Sequence, residues 1–247
     1  MTTYAQVAQR TLTHVLSAQT PAINAAAALI VGCYRDDGIL QTFGTGHARI
    51  IAHEMAGRAG GLVPVNMLSI KDLVMFGGTP PGDIMDPTLE RDPTLAGRIY
   101  TLAGPGPGDV FLLASNCGIN GSIVEMASLV TGRGHPLIAI TSLAHTNSVP
   151  SRHHSGKRLA DLADVVVDTG APPGDAAVEL ADGTRVGAVS SLAGVLIAQL
   201  LTEEVSRRLL ADGTTPPIYT SMNLPDGDER NAGLTRAYGG RVRVIEP

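Results

Sequence analysis

Apolar residues recur at helical spacing along the first 35 positions. Val7, Leu12 and Val15 lie on one face of a first helical pattern. Pro21, a residue tolerated in the first turn of a helix, opens a second pattern that continues to Ile30. The spacing therefore predicts two helices at the start of the chain.

Beyond this region, short apolar segments alternate with further helical patterns. Short, uniformly apolar strands separated by helices are typical of a parallel sheet covered on both faces. The sequence thus predicts an α/β protein with a doubly wound three-layer αβα sandwich. The predicted strands cover residues 39–43, 62–66, 110–114, 136–140 and 163–167. The predicted helices run from the turn at 44–47 to Gly60-Gly61, over about 94–103, from 123 to 130, and from 186 to 210.

The pattern indicates one domain, because neither a repeat nor a linker interrupts it. We expect a helical extension over 1–35, the main α/β domain over 36–213, and a tail over 214–247 that packs on the domain or on a partner subunit. The tail contains Pro and Gly and is predicted to end in a short strand from Val242 to Ile245. Residues 76–93 carry several Gly and Pro residues and are predicted to form an irregular active-site loop.

Composition excludes several classes of function. The chain is 44% apolar and 17% charged, as expected for a globular protein, and its net charge of -5 offers no basic field for nucleic acid. Aromatic residues make up only 3%, with no Trp, so base or sugar stacking is disfavoured. Two cysteines without metal-ligand spacing, no signal-peptide pattern and no long apolar stretch predict a cytoplasmic protein without a membrane partner.

The turn Gly44-Thr45-Gly46-His47 stands between a predicted strand and a predicted helix. Backbone N–H groups at such a turn favour an anion, and glycines allow it to approach closely. The Rossmann pattern would need a third glycine where Arg49 stands, and the Walker lysine is missing, so dinucleotides and nucleoside triphosphates are disfavoured. Arg49 adds positive charge to this first glycine turn.

A second polar turn, residues 115–120, follows the strand at 110–114. It contains Ser115, Asn116, Cys117, Gly118 and Asn120 and again precedes a helix. Ligands of parallel sheets bind at the carboxyl ends of the strands, where Ser142 also stands after the next strand. Two such turns on one edge predict a phosphate site.

In these segments the sequence resembles the sugar isomerase, or SIS, domain family, and in particular bacterial proteins similar to phosphoheptose isomerases. The resemblance covers most of the chain and is carried by residues 43–47, Glu54, 58–62, 115–120, 139–142 and 221–227. It implies a flavodoxin-like five-stranded sheet, a homodimer or homotetramer with sites at subunit interfaces, and a sugar phosphate as the small-molecule partner. It also implies that Ser115, Asn116, Cys117 and Asn120 hold the phosphate, supported by Thr45.

The chain departs from the family pattern at two places. Family turns often carry Ser where Cys117 stands, and a thiol is a weaker hydrogen-bond donor. Phosphoheptose isomerases carry a His and a Glu, four residues apart, where Glu54 and Arg58 stand here, so their metal-ligand set is not reproduced. We therefore expect neither a metal nor another cofactor.

The acid–base candidates each have a structural alternative. Glu54, predicted to be the catalytic base, lies seven residues after His47 and so on the same helical face, but its spacing also suits an ion pair with Arg58. His47 either donates to the sugar or caps the helix, and His53 favours a structural or surface role. For His145, His153 and His154 a solvated loop is the simpler interpretation, and no regular zinc spacing appears. Asp83, Asp86 and Glu90 are expected to be solvated, although one of them can contact sugar hydroxyls.

Three functions fit these observations. The first is an aldose–ketose isomerase that removes a proton next to the carbonyl of a sugar phosphate. The second is a lyase or etherase that acts on an N-acetylated sugar phosphate and begins with the same proton abstraction. The third is a sugar-phosphate-sensing module, although residues 1–35 are too few and too poor in Lys and Arg for the DNA-binding domain of SIS regulators.

Overall fold

A five-stranded parallel sheet forms the centre of the protein. The computed structural model describes residues 2–243. The strand order is β2-β1-β3-β4-β5, and every neighbouring pair is parallel. This is the flavodoxin-like order and confirms the predicted α/β sandwich. The strands are β1 Leu40–Gly44, β2 Val65–Leu68, β3 Val110–Ala114, β4 Leu137–Thr141 and β5 Val165–Asp168.

Helices cover both faces of the sheet. The helices are α1 Tyr4–Ala18, α2 Thr20–Arg35, α3 Arg49–Met55, α4 Asp72–Met75, α5 Thr94–Ala103, α6 Gly121–Gly132, α7 Leu143–Ser148, α8 Leu159–Leu162, α9 Ser190–Ala211 and α10 Gly227–Ala237. Buried residues of α1, α2, α3 and α9 share one core, and buried residues of α5, α6 and α8 share the other. Neighbouring strand residues point to opposite faces, so Leu112 enters the first core and Phe111 the second. The continuous apolar pattern of the strands follows from this double burial.

The two predicted N-terminal helices are confirmed. Thr3 caps α1 in a capping box with Gln6, and Pro21 lies in the first turn of α2. Ala27 and Ile30 of α2 are fully buried in the same core as Leu40 of the sheet. None of the helices within residues 2–243 is by itself long and apolar enough to cross a membrane, and α1 and α2 reach that length and composition only as a pair bent by 64°.

The helix after the first glycine turn is shorter than predicted. A 3-10 turn at Gly46–Ala48 precedes α3, which ends at Met55 because Ala56 is extended and Gly57 has a φ of 63°. Ile51 and Met55 are buried as expected. Helical spacing from the first glycine turn predicts that Ile50 and Ala59 share this inner side, and that prediction was wrong, since both are exposed.

The second strand begins three residues later than predicted because the tail takes up the preceding backbone. Val63 N donates to Pro217 O at 2.8 Å, and Tyr219 N donates to Gly61 O at 3.0 Å. An isolated bridge also joins Leu62 to Ile218. Segment 61–63 therefore pairs with the tail, a contact between residues more than 150 positions apart that local pattern does not reveal.

A two-stranded antiparallel hairpin replaces the predicted start of the last long helix. It consists of β6 Ala176–Glu179 and β7 Arg185–Ala188, so the prediction of a helix from Val186 was wrong. Helix α9 begins at Ser190, where Asp175 accepts hydrogen bonds from Val189 N and Ser190 N. Asp175 thus caps the start of α9 from a position outside the helix and before the hairpin.

The other irregular regions differ in outcome. Residues 76–93 are irregular as predicted, apart from 3-10 turns at Pro81–Ile84 and Leu89–Arg91. Helix α10 in the tail was not predicted. Of the strand expected from Val242 to Ile245, Val242 and Arg243 are not in a strand, and residues 244 and 245 lie outside the described residues.

Candidate functional site

The two polar turns begin side by side on the sheet. Gly44, the last residue of β1, is in register with Ala114, the last residue of β3. The chain reverses its winding direction between these two strands, because β2 lies on one side of β1 and β3 on the other. Such a switch point leaves a crevice outside the carboxyl ends of the strands, which is where α/β sheets bind their ligands.

Glycine is required at two places in the first turn. A Cβ on Gly44 would lie 3.0 Å from Ala48 O and 3.1 Å from Ala114 O, and Gly46 has a φ of +56°. Thr45 between them is buried, whereas His47 and Arg49 are exposed. Within residues 2–243, the backbone N–H groups of Thr45 and Gly46 have no hydrogen-bond acceptor. The first turn therefore presents free donors to the crevice.

The backbone carbonyl groups of the second turn accept hydrogen bonds from residues that follow β4. Thr146 Oγ1 donates to Cys117 O at 3.0 Å, and the Asn116 carbonyl accepts from Ser142 N at 3.1 Å. Ser115 Oγ is buried beneath the turn and accepts from Gly118 N at 3.1 Å.

The amide groups of the same turn remain free. In the described part of the chain, the backbone N–H groups of Asn116, Cys117, Ile119 and Asn120 have no acceptor. Helix α6 starts directly afterwards, so its positive dipole end adds to these donors. Free amides at a helix start are the arrangement that binds phosphate and other anions.

Asn116 provides an unpaired acceptor next to these donors. Its side-chain Oδ1 is buried without a hydrogen-bond partner, and its Nδ2 lies 3.3 Å from His145 Nδ1. A small crevice beside it is lined by Ala48, Ile51, Asn116, Ile140, Thr169, Ser190 and Ser191. Buried polar atoms are almost always hydrogen-bonded, so a buried acceptor without a partner suits the hydroxyl of a ligand.

Glu90 lies at the candidate site, although its irregular loop predicts a carboxylate that is solvated or in contact with sugar hydroxyls. Its Oε1 accepts from Asn120 Nδ2 at 2.7 Å, and its Oε2 lies 3.4 Å from the position that a Cβ on Gly46 would occupy. The Glu90 carboxylate therefore lies between the two turns. The only signal in the sequence is Gly121, where a Cβ would lie 2.1 Å from Arg91 O, so a glycine is needed for the loop to approach α6.

Arg152 brings positive charge to the second turn. Its Nη1 donates to Asn120 Oδ1 at 2.8 Å, and its backbone N donates to Ile119 O at 3.0 Å. The Asn120 side chain is thus held between the guanidinium of Arg152 and the carboxylate of Glu90.

Glu54 is not brought to the two turns within one chain. Its carboxylate pairs with Arg58, as the four-residue spacing suggested, and accepts from Gln199 Nε2 at 2.6 Å. The Glu54 side chain is 17% exposed. It lies at the far end of α3 from His47, whose side chain forms no hydrogen bond with any described residue.

Ser142 lies beneath the site and not on its surface. It is fully buried, its Oγ donates to Ala171 O at 2.6 Å, and it accepts from His145 N as the cap of α7. Its backbone N supports Asn116. Of the predicted ligand-binding residues, Gly44, Thr45, Gly46, Ser115, Asn116, Cys117, Gly118 and Asn120 are brought together at the crevice.

Comparisons with known proteins give the family and the fold of this chain. The family model of the SIS domain matches residues 3–142. A UPF0309 protein of Listeria innocua is 30% identical over 98% of this chain and 97% of its own length. Among solved structures, a phosphoheptose isomerase from Francisella tularensis has a TM-score of 0.57 and 15% identity, covering 83% of this chain and 95% of its own. The sugar isomerase domain of an RpiR transcription factor from Sphaerobacter thermophilus has a TM-score of 0.51 and 18% identity, covering 95% and 94%. At these identities the two structures share the fold with this chain.

Proposed function

The chain belongs to the SIS domain family, and on that premise we propose that it binds a phosphorylated sugar and interconverts its aldose and ketose forms. The observation that carries the proposal is the register of β1 and β3, which sets two turns with free backbone N–H groups side by side. A single glycine turn is an ambiguous connection, whereas two adjoining ones form a concave donor surface.

The phosphate belongs on the second turn, residues 115–120. Four backbone N–H groups there are without an acceptor in the described part of the chain, and α6 begins at the same point. Arg152 adds a guanidinium, whose planar set of N–H donors can bind two phosphate oxygens at once. This local charge matters because the protein as a whole carries a net charge of -5 and does not attract anions by its overall field.

The sugar belongs next to the phosphate, over the mouth of the crevice beside Asn116, because the crevice itself has room for only about one water molecule. The lining residues Thr169, Ser190 and Ser191 supply hydroxyl groups, and the unpaired Oδ1 of Asn116 can accept from a sugar hydroxyl. Hydrogen bonds rather than ring stacking would then hold the sugar, in accordance with the scarcity of aromatic residues.

Two carboxylates compete for the role of the base that takes a proton from C2 of the aldose and returns it to C1 to give the ketose. Glu54 is the base predicted from the sequence, and it stays a prediction. In a single chain it is paired with Arg58 and Gln199, so a catalytic role requires a site completed by a second subunit. Glu90 already lies between the two turns and has one carboxylate oxygen near Gly46. Its position favours Glu90, with the exposed His47 as the group that serves the neighbouring oxygen.

Ligand binding is tested by a thermal-shift screen with phosphorylated hexoses, heptoses and amino sugars, each beside its unphosphorylated parent. At a concentration a hundredfold above Kd, a true ligand stabilises the native state by about 2.7 kcal/mol. We expect the phosphates to raise the Tm and the parents to leave it unchanged. Equal stabilisation by the parents would contradict the phosphate site.

Catalysis is tested on the same sugar phosphate by following the aldose and ketose forms with NMR spectroscopy. We expect Glu90→Gln to lower kcat by about 10²- to 10⁴-fold, the usual contribution of a general base. Glu54→Gln is the competing variant, and a loss of that size in it alone would assign the base to Glu54. Asp83→Asn, in the same loop but exposed, is the matched control and should retain full activity.

The sensing alternative has a distinct outcome in these experiments. The similarity of fold to the sugar isomerase domain of an RpiR transcription factor makes it the alternative to test. A protein that binds sugar phosphates but converts none of them is a sensor. Loss of a substituent from an N-acetylated sugar phosphate, without formation of the C1–C2 isomer, would instead identify a lyase or etherase.

A further inference from the structure

Three potential metal ligands meet behind the second turn. The ligand atoms of Glu125, His153 and His154 all lie within 4.8 Å of one another. Glu125 belongs to α6, and the two histidines belong to the segment between α7 and α8. His153 is buried, Glu125 is partly buried, and His154 is exposed at the surface.

We propose that these three side chains bind a divalent transition-metal ion, and that Zn²⁺ is the ion they suit best. Two imidazole nitrogens and one carboxylate oxygen are ligands that zinc accepts in tetrahedral sites with a fourth position for water. Imidazole ligands disfavour Mg²⁺ and Ca²⁺, which prefer oxygen.

The distances allow the ion to enter with small side-chain rotations. Zinc lies about 2.0–2.2 Å from nitrogen and oxygen ligands, so tetrahedral ligand atoms lie about 3.3 Å apart. His153 Nε2 and Glu125 Oε2 are now 2.7 Å apart and must separate slightly. The ligand nitrogen of His154 lies within 4.8 Å of the other two ligand atoms and must come to about 3.3 Å from them. Both adjustments fall on side chains with room to move, because Glu125 is 37% exposed and His154 is at the surface.

A second residue orients the buried imidazole. His153 Nδ1 lies 2.8 Å from Ser155 Oγ, the kind of partner that metal-bound histidines use for their other ring nitrogen. A carboxylate only accepts, so Nε2 of His153 carries the proton in the pair with Glu125, and Nδ1 accepts from Ser155 N at 3.3 Å. Coordination through Nε2 requires this proton to move to Nδ1, which then donates to Ser155 Oγ and no longer accepts from Ser155 N.

A hydrogen-bonded pair alone explains His153 and Glu125, but it gives no role to His154. The sequence shows only two adjacent histidines, since Glu125 lies 28 positions before His153. Only the fold, by packing the segment after α7 against α6, brings the three ligands together.

The ion would also influence the second turn. Arg152 directly precedes His153 and donates to Asn120 Oδ1. Fastening His153 and His154 to α6 therefore restricts the backbone that carries Arg152. None of the three ligands forms a described hydrogen bond with residues 115–120. The ion would therefore act on the second turn by positioning Arg152.

The experiment uses the full chain, stripped of metal with a chelator and dialysed. Titration with ZnCl₂ by calorimetry is expected to give one tight site per chain, and Co²⁺ is expected to give the visible absorption of a tetrahedral ion. We expect His154→Ala and Glu125→Gln each to weaken zinc binding at least about tenfold, as does the loss of even outer partners of metal ligands. The control is His53→Ala, which removes an exposed histidine beside another glutamate.

His153 is left intact in this design because its buried ring contributes to packing. Circular dichroism and the Tm of the metal-free variants establish that they are folded. Absence of zinc binding in the wild type overturns the proposal. Unchanged affinity in both His154→Ala and Glu125→Gln, or an equal loss in His53→Ala, also overturns it, since the ion then lies elsewhere.

Discussion

Polar groups at the two edges of the central sheet differ in whether they have hydrogen-bond partners. At the carboxyl edge, the turns 44–47 and 115–120 leave backbone N–H groups and the Oδ1 of Asn116 without partners in the described chain. At the amino edge, buried polar side chains are joined in one hydrogen-bonded network. The same strands, β1 and β3, take part in both.

The network at the amino edge is centred on Asp109. Its Oδ1 accepts from Ile39 N at 2.8 Å, and its Oδ2 accepts from Gln41 Nε2 at 2.8 Å. Gln41 Oε1 in turn accepts from Asn66 Nδ2, which ties β2 to β1. On the other side, His135 Nδ1 lies 3.0 Å from the Asp109 carbonyl, and its Nε2 lies 2.9 Å from Tyr100 OH.

The polar groups at the amino edge therefore contribute to the stability of the fold, whereas those at the carboxyl edge are available to bind a ligand. A buried polar group with its partners in place supports the fold, and removing one partner costs free energy. A polar group left open at the other edge costs some stability but keeps donors and acceptors available for a ligand. The comparison implies that changes at the amino edge alter unfolding, whereas changes at the carboxyl edge alter ligand affinity.

The two cysteines, one at each edge, give the largest expected contrast. Cys33 is buried next to the Asp109 network, and burial raises the pKa of its thiol to about 12. Cys117 is half-exposed on the second turn. With a thiol reagent at pH 8, we expect Cys117 to react in the folded protein and Cys33 at least about a thousandfold more slowly, through unfolding alone.

Absorbance of the released thiol product gives both rates in one trace. Cys117→Ser should remove the fast phase, and a bound sugar phosphate should slow it. A fast phase that persists in Cys117→Ser would show that the amino edge opens readily and would break the comparison.

Asp109→Ala is expected to cause the largest loss of stability. The substitution leaves Ile39 N and Gln41 Nε2 buried without an acceptor, so the free energy of unfolding should fall by about 3 kcal/mol or more. Urea denaturation measures the loss. Asp83→Ala in the exposed loop is the control and should stay within about 0.5 kcal/mol of the wild type. A loss below about 1 kcal/mol for Asp109→Ala would mean that the network does not support the fold.

Gly121→Ala and Gly132→Ala test the carboxyl edge with the same substitution at the two ends of α6. A Cβ on Gly121 would overlap Arg91 O at 2.1 Å, whereas no atom lies within 4 Å of the Cβ position on Gly132. We expect Gly121→Ala to cost about 1–3 kcal/mol and to weaken sugar-phosphate binding by displacing Glu90. Gly132→Ala should be neutral or stabilise by up to about 1 kcal/mol. If Gly121→Ala bound the sugar phosphate with wild-type affinity, the loop 76–93 would have no part in the site.

Much of the candidate site was predictable from the sequence, because polar residues directly follow the ends of apolar strands. The apolar run to Ala114 and the polar residues that follow predict both a strand and its ligand edge. The position of Glu90 between the two turns was not predictable from the sequence. A carboxylate in an irregular loop is expected to be solvated unless its partner, here Asn120, is known. The base assigned to Glu54 rested on helical spacing from His47, but α3 is only seven residues long and directs Glu54 to Gln199.

The sequence by itself determined the layered α/β fold, the two N-terminal helices, the irregular loop and the location of both turns. These features depend on local periodicity and on glycine, which act over a few residues. Only the tertiary structure decided how long α3 is, that segment 61–63 pairs with the tail, and that a hairpin precedes α9. It also decided which carboxylate reaches the turns and that Glu125 meets two histidines. These are contacts between distant positions, so their free energy depends on packing that no local pattern encodes.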